Sequence, residues 1–414
     1  RRRADQRDRL AKMAIGDRFV HMARHGKGGA AFFWRCQGGG LRNVTIHASQ
    51  SLAVGIVSGK EVTVDGVSIT WPSGSDRLLT TNADGVHCQQ NIAGPHILNC
   101  TLEGMADDAV NIYHLPNLIR EVISETVIRA AGGNEITLGD RLQIFDPTQG
   151  IVRGEADVAA IMGDPAAGYR IVLAAPIAGM RAGADKSNAD SVYNLSRCGA
   201  GFEIRGNIFR NHRRHGMMIK APGGLIENNL LDGEGGLGII IGNDPDWPEA
   251  LAPWDITVRG NTIRNIGRSM WYGADPHGAA IQVMTRANGG IAQQRLVHDI
   301  VLEDNQCLNP PGAALYIGSA RRISVDGFNA AYTAEATPQR TAAAIIIENA
   351  GAVTLNDIDI RSKHPETSAM IEIGDSVDAG EAGMACGVLR GGVAPGSPAI
   401  RDQRASSIVT KDKK

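Results

Sequence analysis

Four stretches of the chain repeat one short frame: alternating apolar residues, a polar pair ending in Asn, then a second alternating piece. Ile204-Arg205-Gly206-Asn207-Ile208-Phe209-Arg210-Asn211 aligns with Ile226-Glu227-Asn228-Asn229-Leu230-Leu231-Asp232-Gly233. Val258-Arg259-Gly260-Asn261-Thr262-Ile263-Arg264-Asn265 and Leu302-Glu303-Asp304-Asn305-Gln306-Cys307-Leu308-Asn309 fit the same frame. Weaker copies begin at Val64, Ile97, Val325 and Leu355. The framed asparagines 207, 229, 261 and 305 are 22, 32 and 44 residues apart, so insertions lengthen some loops. A unit of about 20–25 residues with two or three period-2 strands and Asn or Gly at the bends is one coil of a parallel β-helix. Asn and Gly suit those bends because they tolerate left-handed backbone angles. A leucine-rich solenoid would need Leu spacing and helical segments that are missing. A β-sandwich would need hairpin turns every 8–12 residues or so.

A second strand set follows each bend. Val86, Val110, Met217, Ile239, Ile281 and Leu315 align as an inward column, and His87, Asn111, Met218, Ile240, Gln282 and Tyr316 as the next, outward one. Composition agrees: glycine is 51 of 414 residues and aromatics only 4%, which suits short strands and tight turns rather than helices. The fold class expected is all-β, a right-handed parallel β-helix. The repeat lapses between about Asn134 and Asn194, where ordinary alternating strands lack the Asn bend. The expected organisation is β-helix over 1–133, an inserted antiparallel β-barrel-like domain over 134–194, β-helix again over 195–375, and a loose Gly/Ala/Ser-rich tail over 376–414.

The net charge of −2 gives no basic excess for a nucleic-acid partner and no reason to expect an anionic membrane. The longest apolar run, Ala342 to Ile347, is far short of the ~18 residues of a membrane span. Six cysteines (36, 88, 100, 198, 307 and 386) are scattered without CxxC or Cys/His clusters, so neither zinc nor a disulfide framework is expected, and each reads as a small buried hydrophobe. The chain as given starts with three arginines and shows no signal-peptide pattern.

The sharpest chemical pattern is Asn82-Ala83-Asp84-Gly85-Val86-His87 followed by Glu103-Gly104-Met105-Ala106-Asp107-Asp108-Ala109-Val110-Asn111. Asp84 precedes Asp107 by 23 residues and Asp108 by 24, about one coil. Stacked strands lie ~4.8 Å apart, so three carboxylates would gather at one edge of two coils. Crowded carboxylates raise one another's pKa, so one holds a proton while another stays ionised, the division that glycoside hydrolysis uses. Asp107 and Asp108 reach the same side only if the chain bends there. Turn capping by solvated aspartates and Ca²⁺ ligation are the alternatives.

Those two segments and their separation resemble glycoside hydrolase family 110, the inverting α-galactosidases. Asn207 through Lys220, Ile226 to Asn229 and Trp247-Pro248-Glu249 are similar too. The likeness runs from about Gly16 to Arg268 and fades beyond. A more distant likeness is to the polygalacturonases of family 28, whose Asn-Thr-Asp and Arg-Ile-Lys signatures are absent. The opening Gly-Ala-x-x-Asp-Gly element of such β-helices is absent as well. The resemblance implies a β-helix with an inserted β-domain, exo-action on terminal α-1,3-linked galactose as in blood-group-B-type glycans, and no cofactor or metal. It also implies a secreted or periplasmic location. It places the acidic trio on Asp84, Asp107 and Asp108, with Asp107 as general acid and the other two sharing the activation of water. The expected partner is an oligosaccharide or polysaccharide.

Expected sugar contacts are His87, Asn111, Arg213, Arg214, His215, Lys220, Trp247, Glu249, Gln282 and Tyr316. Against them stand blander readings: a satisfied surface imidazole for His87, an amide ladder for Asn111, a solvated charge run for the basic cluster. Trp71, Trp247, Trp254 and Trp271-Tyr272 fall in loops where a ring could stack on a sugar. Two further functions stay open. One is a polysaccharide lyase with Ca²⁺ at the trio and Lys220 or Arg214 as base. The other is a non-catalytic, phage-tail-like or adhesin-like glycan-binding β-helix.

Overall fold

The computed structural model describes residues 13–21, 28–247, 249, 251–268, 275–333, 336, 338–379 and 384–404. They form a parallel β-helix with a closed antiparallel barrel set into one coil. The first of three parallel sheets stacks Ala31–Trp34, Val54–Val57, Val86–Gln89, Val110–Tyr113, Met217–Ile219, Ile239–Gly242 and Ala279–Met284. It continues into the long strands Ala313–Asp326 and Ile345–Asn356, whose second halves join the second sheet. That second sheet contains Gly40–Arg42, Thr63–Asp65, His96–Leu98, Glu203–Arg205, Gly224–Glu227, Trp254–Arg259 and Val297–Glu303. The third runs from Thr45–Ile46 to Leu389–Gly392. Among the described residues no helix is long and apolar enough to cross a membrane.

Register follows the sequence columns. Val86 pairs with Val110, Val110 with Met217, Met217 with Ile239, Ile239 with Ile281 and Ile281 with Leu315, all fully buried. A single coil could not cover this apolar stripe; each neighbour does, at roughly 1.5–3 kcal/mol per large side chain enclosed. His87, Asn111, Met218, Ile240, Gln282 and Tyr316 fall on the opposite face in the same register.

The framed asparagines make a ladder at the turn between the second and third sheets. The side-chain amide of Asn207 donates to Asn229 Oδ1 at 2.9 Å, that of Asn229 to Asn261 at 2.9 Å, and that of Asn261 to Asn305 at 3.0 Å. Each also donates to a backbone carbonyl of the preceding coil, so four buried amides are satisfied. Gly and Asn do carry left-handed angles at the bends, Asn211, Asn265 and Asn309 among them, but the laddered asparagines themselves do not. Positive φ belongs to the residue before each: Gly206 (68°), Asn228 (54°), Gly260 (64°) and Asp304 (52°). A Cβ on Gly260 would stand 2.4 Å from Asn228 Oδ1, so a side chain in one coil occupies the space that glycine leaves in the next.

The barrel lies between first-sheet strand Val110–Tyr113 and second-sheet strand Glu203–Arg205. Its strands are Asn117–Ser124, Val127–Ala130, Arg141–Asp146, Ile151–Asp164, Gly168–Leu173 and Ser191–Asn194, around a core that includes Ile119, Leu142, Ile144, Ile171 and Val192. It opens at Asn117, ahead of the expected Asn134, because its first hairpin turns at Glu125-Thr126, which carries no Gly or Asn signal. The expected tail is also corrected. Met384–Cys386, Leu389–Gly392 and Ile400–Asp402 pair in parallel with the coil before them. This coil carries no Asn frame to mark it; residues 405–414, with the basic terminus, lie outside the described residues. Cys88, Cys100, Cys198 and Cys307 are buried, whereas Cys36 is half-buried and Cys386 exposed, and all six are free thiols.

Candidate active site

The acidic residues sit in the turns that lead from the third sheet into the first. Thr81 bridges Met105 in parallel, and Gly85 N donates to Asp108 O at 3.0 Å, so the two turns stack in the strand register. That register puts Asp84 directly on Asp108. The chain bends at Ala106-Asp107 and breaks strict alternation, bringing Asp107 to the same side. One carboxylate oxygen from each of Asp84, Asp107 and Asp108 lies within 4.8 Å of the others. All three are buried, at 6, 8 and 4% exposure.

The loop of the next coil shapes this bend. Met105 N donates to His212 Nδ1 at 3.3 Å, and Arg213 N donates to Met105 O at 2.9 Å. Arg213 Nε donates to Ala106 O at 2.5 Å, and His215 N to Asp108 Oδ1 at 3.0 Å. Arg214 Nε stands 3.3 Å from Asp107 Oδ1. The basic run 213–215 therefore braces the acidic loop, Arg213 through the backbone oxygens of Met105 and Ala106. His215 also accepts from Leu237 N at 3.0 Å, and burial with nearby Arg214 and Lys220 drives its pKa down to about 3. Asp108 goes the other way: burial, then the charges of Asp84 and Asp107, raise it well above the ordinary carboxylate range.

On the adjoining face of the first sheet, His87 Nδ1 contacts Asp84 Oδ2, and His87 Nε2 is 2.7 Å from the Tyr113 hydroxyl. Tyr113 in turn donates to Gln89 Oε1 at 2.9 Å. Asn111 donates to Glu249 Oε2 at 3.1 Å, and Lys220, fully buried, donates to the same oxygen at 2.8 Å. Asn111 is thus bonded across coils to a loop rather than laddered along the sheet. Lys220 lies inside the wall as the partner of Glu249. Beyond them a cavity of about 200 Å³ is lined by Arg214, His215, Met218, Lys220, Asp275 and Arg286, among others.

Gln282 and Tyr316 belong to the outward column but are almost wholly covered. Gln282 donates to His277 O at 2.8 Å, and the Tyr316 hydroxyl donates to Glu348 while its ring meets His277 edge-on. Trp247 is 67% exposed on a turn closed by the Asp244–Glu249 bridge. Trp71 packs beneath Gly104, and Trp254 stacks on His298. Pro248 and the Trp271-Tyr272 pair lie outside the described residues. Sequence reading missed Tyr113 and Gln89, although both sit one outward step beyond Asn111 and His87. It also missed Asp275 and Arg286, a 2.9 Å ion pair at the cavity wall, which no repeat marks.

Chemically, the trio combines one carboxyl whose pKa is raised, Asp108, with two others in contact with Arg214 and His87. The same oxygens are of the kind calcium takes, with Arg214 at Asp107 and His87 at Asp84 competing for them.

No family model matches the chain. Curated proteins named alpha-1,3-galactosidase B do. That of Akkermansia muciniphila is 26% identical over 242 residues, 56% of this chain and 30% of its own length. That of Bacteroides thetaiotaomicron is 28% identical over 233 residues, 54% and 37% respectively. One from Phocaeicola vulgatus is 26% identical over 288 residues, 64% and 46%. The chain therefore spans less than half the length of each of these relatives. Among solved structures, a glycoside hydrolase aligns over 83% of this chain and 88% of its own at 9% identity and a TM-score of 0.35. A tailspike of Acinetobacter baumannii bacteriophage AP22, solved with capsular saccharide, aligns over 85% and 67% at 12% identity and 0.28. By sequence, the chain is a distant relative of the bacterial proteins named alpha-1,3-galactosidase B.

Proposed function

We propose that this β-helix is an exo-acting, inverting glycoside hydrolase that releases terminal α-linked galactose, with the α-1,3 linkage as its first candidate. The observation that carries the reading is the meeting of Asp84, Asp107 and Asp108 beside a cavity, where burial and the neighbouring carboxylates raise the pKa of Asp108. Hydrolysis of a glycoside needs one group to protonate the leaving oxygen and one to take a proton from water. A neutral and an ionised carboxyl side by side can divide that work. The resemblance to family 110 assigns the acid to Asp107 and water to Asp84 and Asp108; the raised pKa of Asp108 makes it the less suited of those two to take a proton. Inversion enters through that resemblance alone.

The lyase alternative asks Lys220 or Arg214 to act as base. Lys220 is enclosed against Glu249 and Arg214 is engaged with Asp107, which favours hydrolysis. A panel of nitrophenyl glycosides, α-galactoside first, tests the proposal. Release of nitrophenol from the α-galactoside supports it. No release from any glycoside, with an unsaturated product absorbing in the ultraviolet from an acidic polysaccharide, would replace it with a lyase.

A further inference from the structure

The hydrogen bonds around His87 have a direction. Tyr113 has one hydroxyl hydrogen, and it goes to Gln89 Oε1. The phenol oxygen then accepts from His87 Nε2, 2.7 Å away, which requires a proton on Nε2. The other ring nitrogen, Nδ1, meets a carboxylate oxygen of Asp84, which also accepts. Donation from both nitrogens is the pattern of an imidazolium. From this chain we infer that His87 is a cationic positioning residue bonded to Asp84, making Asp84 the trio member that takes the proton from water.

The surroundings agree. Burial opposes the charge on His87, but the hydrogen bond and charge of Asp84, with Glu249 behind them, outweigh burial and Lys220, and the imidazole pKa rises. Gln89 on its own strand and Tyr113 on the next coil complete the groups that face the ring. On the preceding coil its register partner is Gly55, which brings no charge. Asp84 also accepts from Asp108 N at 3.3 Å, so these two members of the trio are joined through backbone. Assigning Asp84 as base rests on the hydrolase reading; the charge on His87 does not.

Nitrogen-15 NMR of histidine-labelled protein reads that charge without substrate. The expected result is two protonated ring nitrogens on His87 at pH 7, with a titration midpoint that falls in Tyr113→Phe. A neutral ring at pH 7, with Tyr113 donating to Nε2, would overturn the inference. His87→Gln retains a donor toward Asp84 without the charge. On an α-galactoside its kcat/KM profile should move its acid limb upward by about one pH unit, tenfold in rate on that side, with KM little changed. An unmoved limb would break the link to Asp84. Wild-type protein inactive on every glycoside would remove the hydrolase reading and leave the NMR result to stand or fall alone.

Discussion

Two columns of polar side chains climb the same solenoid, one at each edge of the third sheet, and they behave in opposite ways. Asn207, Asn229, Asn261 and Asn305 stack as a ladder in which every amide both donates and accepts. Asp84 and Asp108 stack in the same register, with Asp107 beside them, but a carboxyl has no N–H to offer and, once ionised, only accepts. The first column satisfies itself; the second needs donors from outside, namely His87, Arg214 and the His215 amide. Coil stacking is common to both. What differs is whether identical groups complement or repel one another, and that separates a buried polar column that secures the fold from one that stays chemically poised.

Substitutions can break the comparison from either side. The largest effect expected is on turnover: Asp107→Asn or Asp84→Asn should lower kcat on an α-galactoside by roughly 100- to 10,000-fold, the usual worth of acid–base catalysis. Their melting curves should stay near wild type. Activity within severalfold of wild type in either variant would exclude that residue from the chemistry. Lys220→Met leaves Glu249 enclosed without its cation and should cost about 3–5 kcal/mol in denaturant unfolding. Lys220→Met with Glu249→Gln should recover part of that loss.

In the ladder, Asn229→Ala bares groups on both neighbouring coils at about 1–3 kcal/mol each. Chemical denaturation should show the loss while kcat at low temperature holds. The opposite sign is expected at Asp108. A carboxyl whose pKa is higher folded than unfolded lowers stability as pH rises from the ordinary carboxylate range through its folded pKa, and the full cost is present above that. Asp108→Asn should therefore melt at or above wild type at pH 7, with the gain shrinking toward about pH 4. Chelation is the smallest effect: EDTA should leave hydrolysis unchanged, whereas a calcium-dependent lyase would lose its rate.

Much of this was legible in the sequence because a solenoid writes its geometry as periodicity. The inward column from Val86 to Leu315 and the one-coil spacing of Asp84 and Asp108 needed only alternation and the coil length. Contacts made by loops of irregular length were not legible. Lys220 looked like one of a run of exposed cations, yet it is enclosed by Glu249, which a non-repeating turn brings across two coils. Tyr113 was missed because each strand was read for one outward residue when it has two. The start of the barrel at Asn117 was hidden because its first hairpin turns at Glu125-Thr126 without Gly or Asn, and the coil at Met384–Cys386 because it lacks the Asn frame.

The most direct measurement is a proton NMR time course of wild-type protein with a terminal α-1,3-galactosyl disaccharide. β-Galactose should appear first and mutarotate afterwards, as expected when water, activated within the aspartate cleft, attacks opposite the leaving group. α-Galactose as the first product, or no galactose at all, would contradict it.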